Sequence, residues 1–151
     1  NRDILLAALL IGEKNNHEYF AHKYNISNDI KENLNLLASD LKLIKENRDF
    51  FDKDLEKNIY LRNKNYLINL NILNFVNNSK YKLKDFSEIL KKILQSKAHS
   101  FPINGEYLIQ NGMKEGSKLG RVLKIIEDEW ISNGFKISKN RVKEIIHSNL
   151  S

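Results

Sequence analysis

The chain has 151 residues, of which 41% are hydrophobic and 29% charged, and its net charge is +6. This length and composition fit one folded domain, or one domain with a small appendage. The absence of cysteine excludes disulfide bridges and thiolate metal sites. The longest apolar run, Ile4–Ile11, falls far short of the roughly 20 residues of a membrane-spanning helix, so we predict a cytoplasmic protein without a membrane partner. The positive charge is local, because residues 80–124, here called the basic segment, carry 10 cations and 4 anions, while the remaining residues carry equal numbers of each.

Helical spacing of apolar residues dominates the sequence, and no segment alternates as a strand does. A buried first helix is predicted from the apolar residues at positions 4, 5, 8, 9 and 11, and a second from Tyr19, Phe20 and Tyr24. Ser27 is predicted to cap the third helix through its hydroxyl. That helix has one apolar stripe, which must face other helices: Ile30, Leu34, Leu37, Leu41 and Ile44.

Residues 47–54 are predicted to connect to a short helix around Leu55 and Ile59, which a helix from Tyr66 to Phe75 follows. Further helices are predicted at 84–97, on both sides of the turn 112–116, and after Ser138, with Gly134 ending the long one. Segment 99–104 contains the only proline and cannot continue a helix. The sequence thus predicts an all-α bundle of about eight helices and no sheet. Its expected parts are a helical body at 1–79 and a basic tail at 80–151, unless the two form one continuous domain.

Three short motifs resemble catalytic signatures, and none has the geometry that catalysis requires. His17 and His22 are five residues apart and point about 140° apart on a helix, so they cannot share a metal ion. Asp52 and Asp54 form an Asp-x-Asp, but nucleotidyl transfer needs the pair on one strand face, and helix capping is the better interpretation here. Residues 127–129 are three consecutive acids, typical of a solvated face. We predict no catalytic residue, no metal site and no cofactor in this chain.

The strongest local pattern is a glycine turn between two predicted helices. Gly112 and Gly116 indicate backbone angles that other residues avoid, and Gly116 and Gly120, one helical turn apart, are expected to permit close helix approach. The following helix starts with Ser117 and two flanking lysines, which suits a phosphate, although a plain helix-packing hairpin fits the pattern equally well. The apolar residues of this helix lie on one side of it and comprise Leu119, Val122, Leu123, Ile126 and Trp130. We therefore predict that Trp130 is a structural residue.

Four short motifs follow one another in and around the glycine turn: Pro102-Ile103-x-Gly105-x-x-Leu108, Gly112-x-x-x-Gly116, Leu119-Gly120-x-x-Leu123 and Glu127-x-x-Trp130-Ile131. In this order they resemble a C-terminal signature of the class II bacterial nucleotidyltransferases, the group of CCA-adding enzymes and bacterial poly(A) polymerases. Upstream, residues 3–10 are similar to the family's apolar body helix and residues 21–28 to its capping segment. Ser117 stands where the family often has proline, and Lys23 and Asn25 stand where it usually has arginines.

The resemblance implies a helical body and tail that hold the acceptor and elbow of tRNA while the protein's own catalytic head adds nucleotides to the RNA 3′ end. Mg²⁺ and ATP or CTP belong to that head, whose metal-binding carboxylates and nucleotide template do not occur in these residues. The chain alone is therefore expected to be inactive. The alternative is a non-catalytic helical scaffold or interaction domain whose lysines reflect codon usage. A helix-hairpin-helix DNA module is disfavoured, since its Gly-hydrophobic-Gly spacing does not occur.

The expected partner is tRNA or another RNA, bound through its backbone by charge and shape rather than by base readout. The predicted contacts are cations of the basic segment together with the serine at the helix start: Lys84, Lys91, Lys92, Lys97, Lys114, Ser117, Lys118, Arg121 and Lys124. Lys118, Arg121 and Lys124 are expected to face outward, and we expect the whole set to form one continuous basic surface.

Overall fold

In a computed structural model that describes residues 2–11 and 16–150, the chain is all-helical, as the sequence predicts. The described residues form nine helices and no strand, which agrees with the prediction of about eight helices and no sheet. In chain order they are α1 (Arg2–Leu10), α2 (Asn16–Lys23), α3 (Asn28–Glu46), α4 (Leu55–Arg62), α5 (Lys64–Asn77), α6 (Leu83–Gln95), α7 (Gly105–Gln110), α8 (Ser117–Ser132) and α9 (Lys139–Ser148). No helix in the described part has the length and apolar character needed to cross a membrane.

The chain divides into two compact units, Asn1–Ala98 and His99–Ser151. The change of charge along the sequence comes earlier, after residue 79, so the basic segment contributes to both units. Helix α6 and its lysines belong to the first unit, and the glycine turn with α8 belongs to the second.

The core of the first unit is formed by the predicted stripe of α3 and by one face of α5. Leu34, Leu37 and Leu41 of α3 are buried, as their spacing predicts. Helix α5 contributes Leu67 and Leu70, both fully buried. Burying large aliphatic side chains of this kind is the main source of stability for such a bundle, at about 1.5–3 kcal/mol each.

Helix α1 differs from its prediction, because two of the side chains expected inside are outside. Leu5 is 68% exposed and Leu9 is 80% exposed, whereas Ala7 is completely buried. The helix is apolar on nearly every side, so its apolar spacing does not select one buried face. Packing of α1 against α3 and α5 selects that face instead, and the prediction of a uniformly buried helix is wrong for Leu5 and Leu9.

The connection before α4 contributes to the core, although it was predicted only as a linker. Phe50 and Phe51 are buried there, with ring centroids 5.0 Å apart in an edge-to-face arrangement. The side-chain amide of Asn58 donates to the Phe50 carbonyl at 2.8 Å, which satisfies a buried backbone group. Ser27 does stand at the N-cap of α3, but its hydroxyl makes no capping hydrogen bond.

Helices α7, α8 and α9 enclose the core of the second unit, and the glycine turn precedes α8. Gly112 and Gly116 have φ values of 98° and 138°, which confirms the unusual backbone angles predicted for them. The expected close approach is wrong for Gly116 and Gly120, since a Cβ at either position would meet nothing within 4 Å. Gly105 is the tight glycine, because a Cβ there would lie 3.3 Å from Leu119 Cδ2.

Both ends of the link between α8 and α9 follow the sequence prediction. Gly134 has a φ of 65° and ends α8, where Phe135 N–H donates to the Trp130 carbonyl at 2.8 Å and Gly134 N–H donates to the Ile131 carbonyl at 3.2 Å. This is the Schellman arrangement that glycine favours at a helix end. Ser138 caps α9 by accepting from the Arg141 N–H at 3.1 Å.

Candidate nucleic-acid interface

The first set of predicted contacts lies on and just after α6. This helix is amphipathic, with Ile93 fully buried and Ile89 packed against the same core. Its exposed side carries the predicted lysines, and Lys97 follows the helix end, so all four cations predicted in this unit are exposed: Lys84, Lys91, Lys92 and Lys97. Asp85 and Glu88 are exposed on α6 as well, so the outward side of the helix is mixed in charge rather than uniformly positive.

Two lysines of α6 already have carboxylate partners. Lys92 Nζ donates to Asp52 Oδ1 at 2.7 Å, and this hydrogen bond holds the pKa of Asp52 below its usual value. Lys84 Nζ lies 4.0 Å from Glu88 Oε1, one helical turn away. Exposed pairs of this kind contribute little to stability, because water screens their attraction. A phosphate could therefore replace either carboxylate, but each exchange would yield less binding energy than contact with an unpaired lysine.

The second set of predicted contacts surrounds the start of α8. Gly116 is the N-cap residue, so Ser117 is the first helical residue, and no side chain caps the helix. The first turn contains no acidic residue, although the exposed Glu115 immediately precedes the cap. The first N–H groups of a helix lack acceptors within it and carry partial positive charge. The start of α8 therefore favours an anion, and Lys114, Lys118 and Arg121 are exposed around it in the sequence.

Lys124 is the predicted contact least available to RNA. Its ammonium group lies 3.0 Å from carboxylate oxygens of both Glu127 and Asp128, and hydrogen bonds to these two acids raise the pKa of Lys124. Glu129 binds Arg141 of α9 through two bonds of 2.8 Å and 3.0 Å, which lower the pKa of Glu129. The three consecutive acids, predicted as a solvated face, thus hold cations of their own unit.

Four of the predicted cations keep their charge unpaired. Within residues 2–11 and 16–150, no carboxylate lies within ion-pair distance of Lys91, Lys97, Lys114 or Arg121. Two of them belong to the first unit and two to the second. Among the predicted contacts, these four are the cations for which no described carboxylate competes, and both their contact with phosphate and the single continuous basic surface stay predictions.

Two of the near-catalytic motifs, the histidine pair and the Asp-x-Asp, lie in the first unit. His17 is buried whereas His22 is exposed, so the two imidazoles face different surroundings, as their spacing predicts. Asp54 occupies the N-cap position of α4 without a capping hydrogen bond, and its Oδ2 accepts from Asn47 Nδ2 at 3.1 Å. No group of three potential metal ligands occurs among the described residues.

The first unit contains a buried ionic network that no sequence pattern indicated. Asp40, on α3, is 3% exposed. Its carboxylate accepts from Arg62 Nε at 2.7 Å and Nη2 at 2.9 Å, and from the Tyr66 hydroxyl at 2.9 Å. Burial, followed by the adjacent carboxylate, raises the pKa of Tyr66, so its hydroxyl remains a donor. Arg62 and Tyr66 are 22 and 26 residues from Asp40 in the sequence. Residues this far apart form no local spacing pattern, so the network was not predictable from the sequence.

Comparison with models of known protein families, with curated proteins and with solved structures finds no match for this chain.

Proposed function

We propose that this chain is the RNA-holding part of a tRNA nucleotidyltransferase or poly(A) polymerase, and that a catalytic head outside these residues adds nucleotides to the RNA 3′ end. The sequence resemblance centred on residues 102–131 supports the class of enzyme. The concentration of positive charge in residues 80–124 supports a polyanionic partner independently, because local charge steers and binds polyanions where diffuse charge does not.

One observation carries the RNA-binding part of the proposal, namely the uncapped start of α8 with cations around it. The helix offers free amide groups, no acid in its first turn and a hydroxyl at Ser117. Lys114 precedes it and Arg121 follows one turn later, both exposed and without a carboxylate partner in the described part of the chain. Amide groups and cations of this kind bind phosphate oxygens, which fixes RNA position without reading its sequence.

The chain then contributes binding and orientation rather than chemistry. Mg²⁺ and the nucleoside triphosphates would be held by the catalytic head, and we expect no nucleotide addition by this chain alone. Its four unpaired cations would hold the backbone of a structured RNA such as tRNA, whose shape presents phosphates at fixed spacing.

Charge reversal tests whether the start of α8 is the binding surface. The double variant Lys118→Glu and Arg121→Glu should bind tRNA more weakly. Each lost phosphate contact should reduce the slope of log affinity against log salt concentration by about 0.7–0.9. Fluorescence anisotropy with labelled tRNA over a range of salt concentrations measures both quantities, and circular dichroism reports whether the fold is retained.

The matched control is Lys136→Glu with Lys139→Glu, which has the same change of charge in the same unit but lies outside the basic segment. Lys118 and Lys139 both lie in the first turn of a helix, so each glutamate meets a similar helix dipole. Equal losses from the two double variants would indicate nonspecific attraction by net charge, and the scaffold interpretation would then be preferred.

A further inference from the structure

The first unit contains a pocket of about 220 Å³ that is lined by residues of α1, α3 and α5. Four of its lining residues are asparagines, and we call it the asparagine pocket: Asn33, Asn63, Asn65 and Asn69. Ile4 and Leu37 line it as well, so apolar surface accompanies the carboxamides. It lies apart from the lysines of α6 in the sequence, and the proposed phosphate contacts do not use it.

The spacing of these residues explains why the carboxamides meet in one place. Asn33 and Leu37 are four residues apart on α3, and Asn65 and Asn69 are four apart on α5, so each pair shares one face of its helix. The two faces line the same cavity, and α3 packs against α5 directly.

Two residues in the wall of the asparagine pocket, Asn63 and Tyr66, are held in position by hydrogen bonds. Asn63 Oδ1 accepts from the Tyr66 N–H at 2.9 Å, which leaves the two N–H donors of its carboxamide unused. The Tyr66 hydroxyl, also from a lining residue, donates to the buried Asp40 at 2.9 Å. These two side chains therefore lose little freedom when a ligand binds.

Three of the carboxamides are available to a ligand. The side chains of Asn33, Asn65 and Asn69 make no hydrogen bond to any other described residue. A carboxamide offers one acceptor oxygen and two donor hydrogens, so the pocket presents donors and acceptors side by side. None of the described residues that line it is charged, which disfavours a phosphate and favours a neutral ligand with both kinds of group.

We infer that the asparagine pocket binds an unpaired adenine base. Asparagine pairs with adenine through two hydrogen bonds, accepting from N6 and donating to N7, whereas guanine is matched by Arg or Lys and cytosine by Asp or Glu. Ile4 and Leu37 supply apolar contact for the ring. The volume lies below the roughly 300–1,000 Å³ of pockets for drug-sized ligands, which suits one base rather than a complete nucleoside triphosphate. The inference rests on the proposed function only in that a bound RNA supplies the base.

Adenosine, which has no phosphate, is the probe that separates this site from the cationic one. Titration of the ¹⁵N-labelled chain should shift the side-chain amide signals of Asn33, Asn65 and Asn69. Affinity for adenosine should exceed that for uridine, cytidine and guanosine by roughly fivefold or more, the discrimination expected of one two-bond pair. Asn33→Ala and Asn69→Ala should each weaken adenosine binding by a similar factor. Asn35→Ala, on α3 but outside the asparagine pocket, should leave it unchanged.

The outcomes for the two sites are distinct. Three results would each overturn the adenine site and leave phosphate binding untouched. They are the absence of these shifts up to the solubility limit of adenosine, equal affinity for all four nucleosides, and equal effects of the Asn33 and Asn35 variants on adenosine binding. Loss of tRNA binding in the Lys118 and Arg121 variant with adenosine binding retained would confirm that the two sites are independent. With single-stranded RNA, the Asn69 variant should lose preference for oligoadenylate over oligouridylate without a change in salt dependence.

Discussion

Replacing Trp130 by alanine is expected to lower the free energy of unfolding by about 3–5 kcal/mol, the cost of removing a large aromatic side chain from a core. Trp130 is 3% exposed, and its ring centroid lies 5.3 Å from that of Phe101 and 4.9 Å from that of Phe135. Removing the indole leaves a cavity beside the rings of Phe101 and Phe135, both of which contact Trp130. Urea denaturation followed by far-UV circular dichroism measures the loss without depending on tryptophan fluorescence.

Ile125→Ala is the matched control for Trp130, because it shortens an apolar side chain of the same helix that is 47% exposed. This change should cost less than about 1 kcal/mol, since most of the side chain already contacts solvent. If both variants lost the same stability, Trp130 would not be a core residue, and it would become a candidate for stacking on an RNA base.

Arg62→Ala is expected to destabilise the first unit by a similar amount, about 3–5 kcal/mol. The guanidinium makes two hydrogen bonds to Asp40, a third to Asn58 Oδ1 at 2.9 Å, and lies 5.4 Å from the centroid of the Phe50 ring. Truncating it leaves the buried Asp40 carboxylate with only the hydroxyl of Tyr66 as partner. An unpaired buried charge is far more costly than the absence of both partners.

Arg48 supplies the control for Arg62, since it is an exposed arginine of the same unit. Arg48→Ala should change the free energy of unfolding by no more than about 0.5 kcal/mol. The double variant Asp40→Leu with Arg62→Leu should recover much of the stability lost in Arg62→Ala, because it removes the isolated charge as well. Equal stability of Arg62→Ala and Arg48→Ala in urea denaturation would contradict the account of this network.

The helical class and most of the core follow from patterns within single elements. Leu34, Leu37 and Leu41 are three and four residues apart, so on a helix they lie on one face, and this face is the buried face of α3. The two positive φ values at Gly112 and Gly116 and the cap at Ser138 are local features of the same kind. Where every side of a helix is apolar, as around Leu5 and Leu9, the local pattern has no preferred face and tertiary packing decides.

The candidate site was predictable only in part for the same physical reason. Exposure of the α6 lysines follows from the amphipathic pattern of that helix. The ion pair between Lys92 and Asp52 joins residues that are 40 positions apart. Spacing rules apply within one helix or strand, so they could not predict this pair. The asparagine pocket likewise depends on the packing of α3 against α5, which neither helix specifies by itself.

The salt dependence of tRNA binding tests the central claim most directly. If Lys91, Lys97, Lys114 and Arg121 all contact phosphates, log affinity should fall with log salt concentration with a slope of about −3, at roughly −0.7 to −0.9 for each contact. Fluorescence anisotropy of labelled tRNA with the chain, from low to physiological salt, gives this slope. A slope near −3 is the predicted result. Failure to bind tRNA at low salt, or binding that does not change with salt, would contradict the proposal that this chain holds RNA by its backbone.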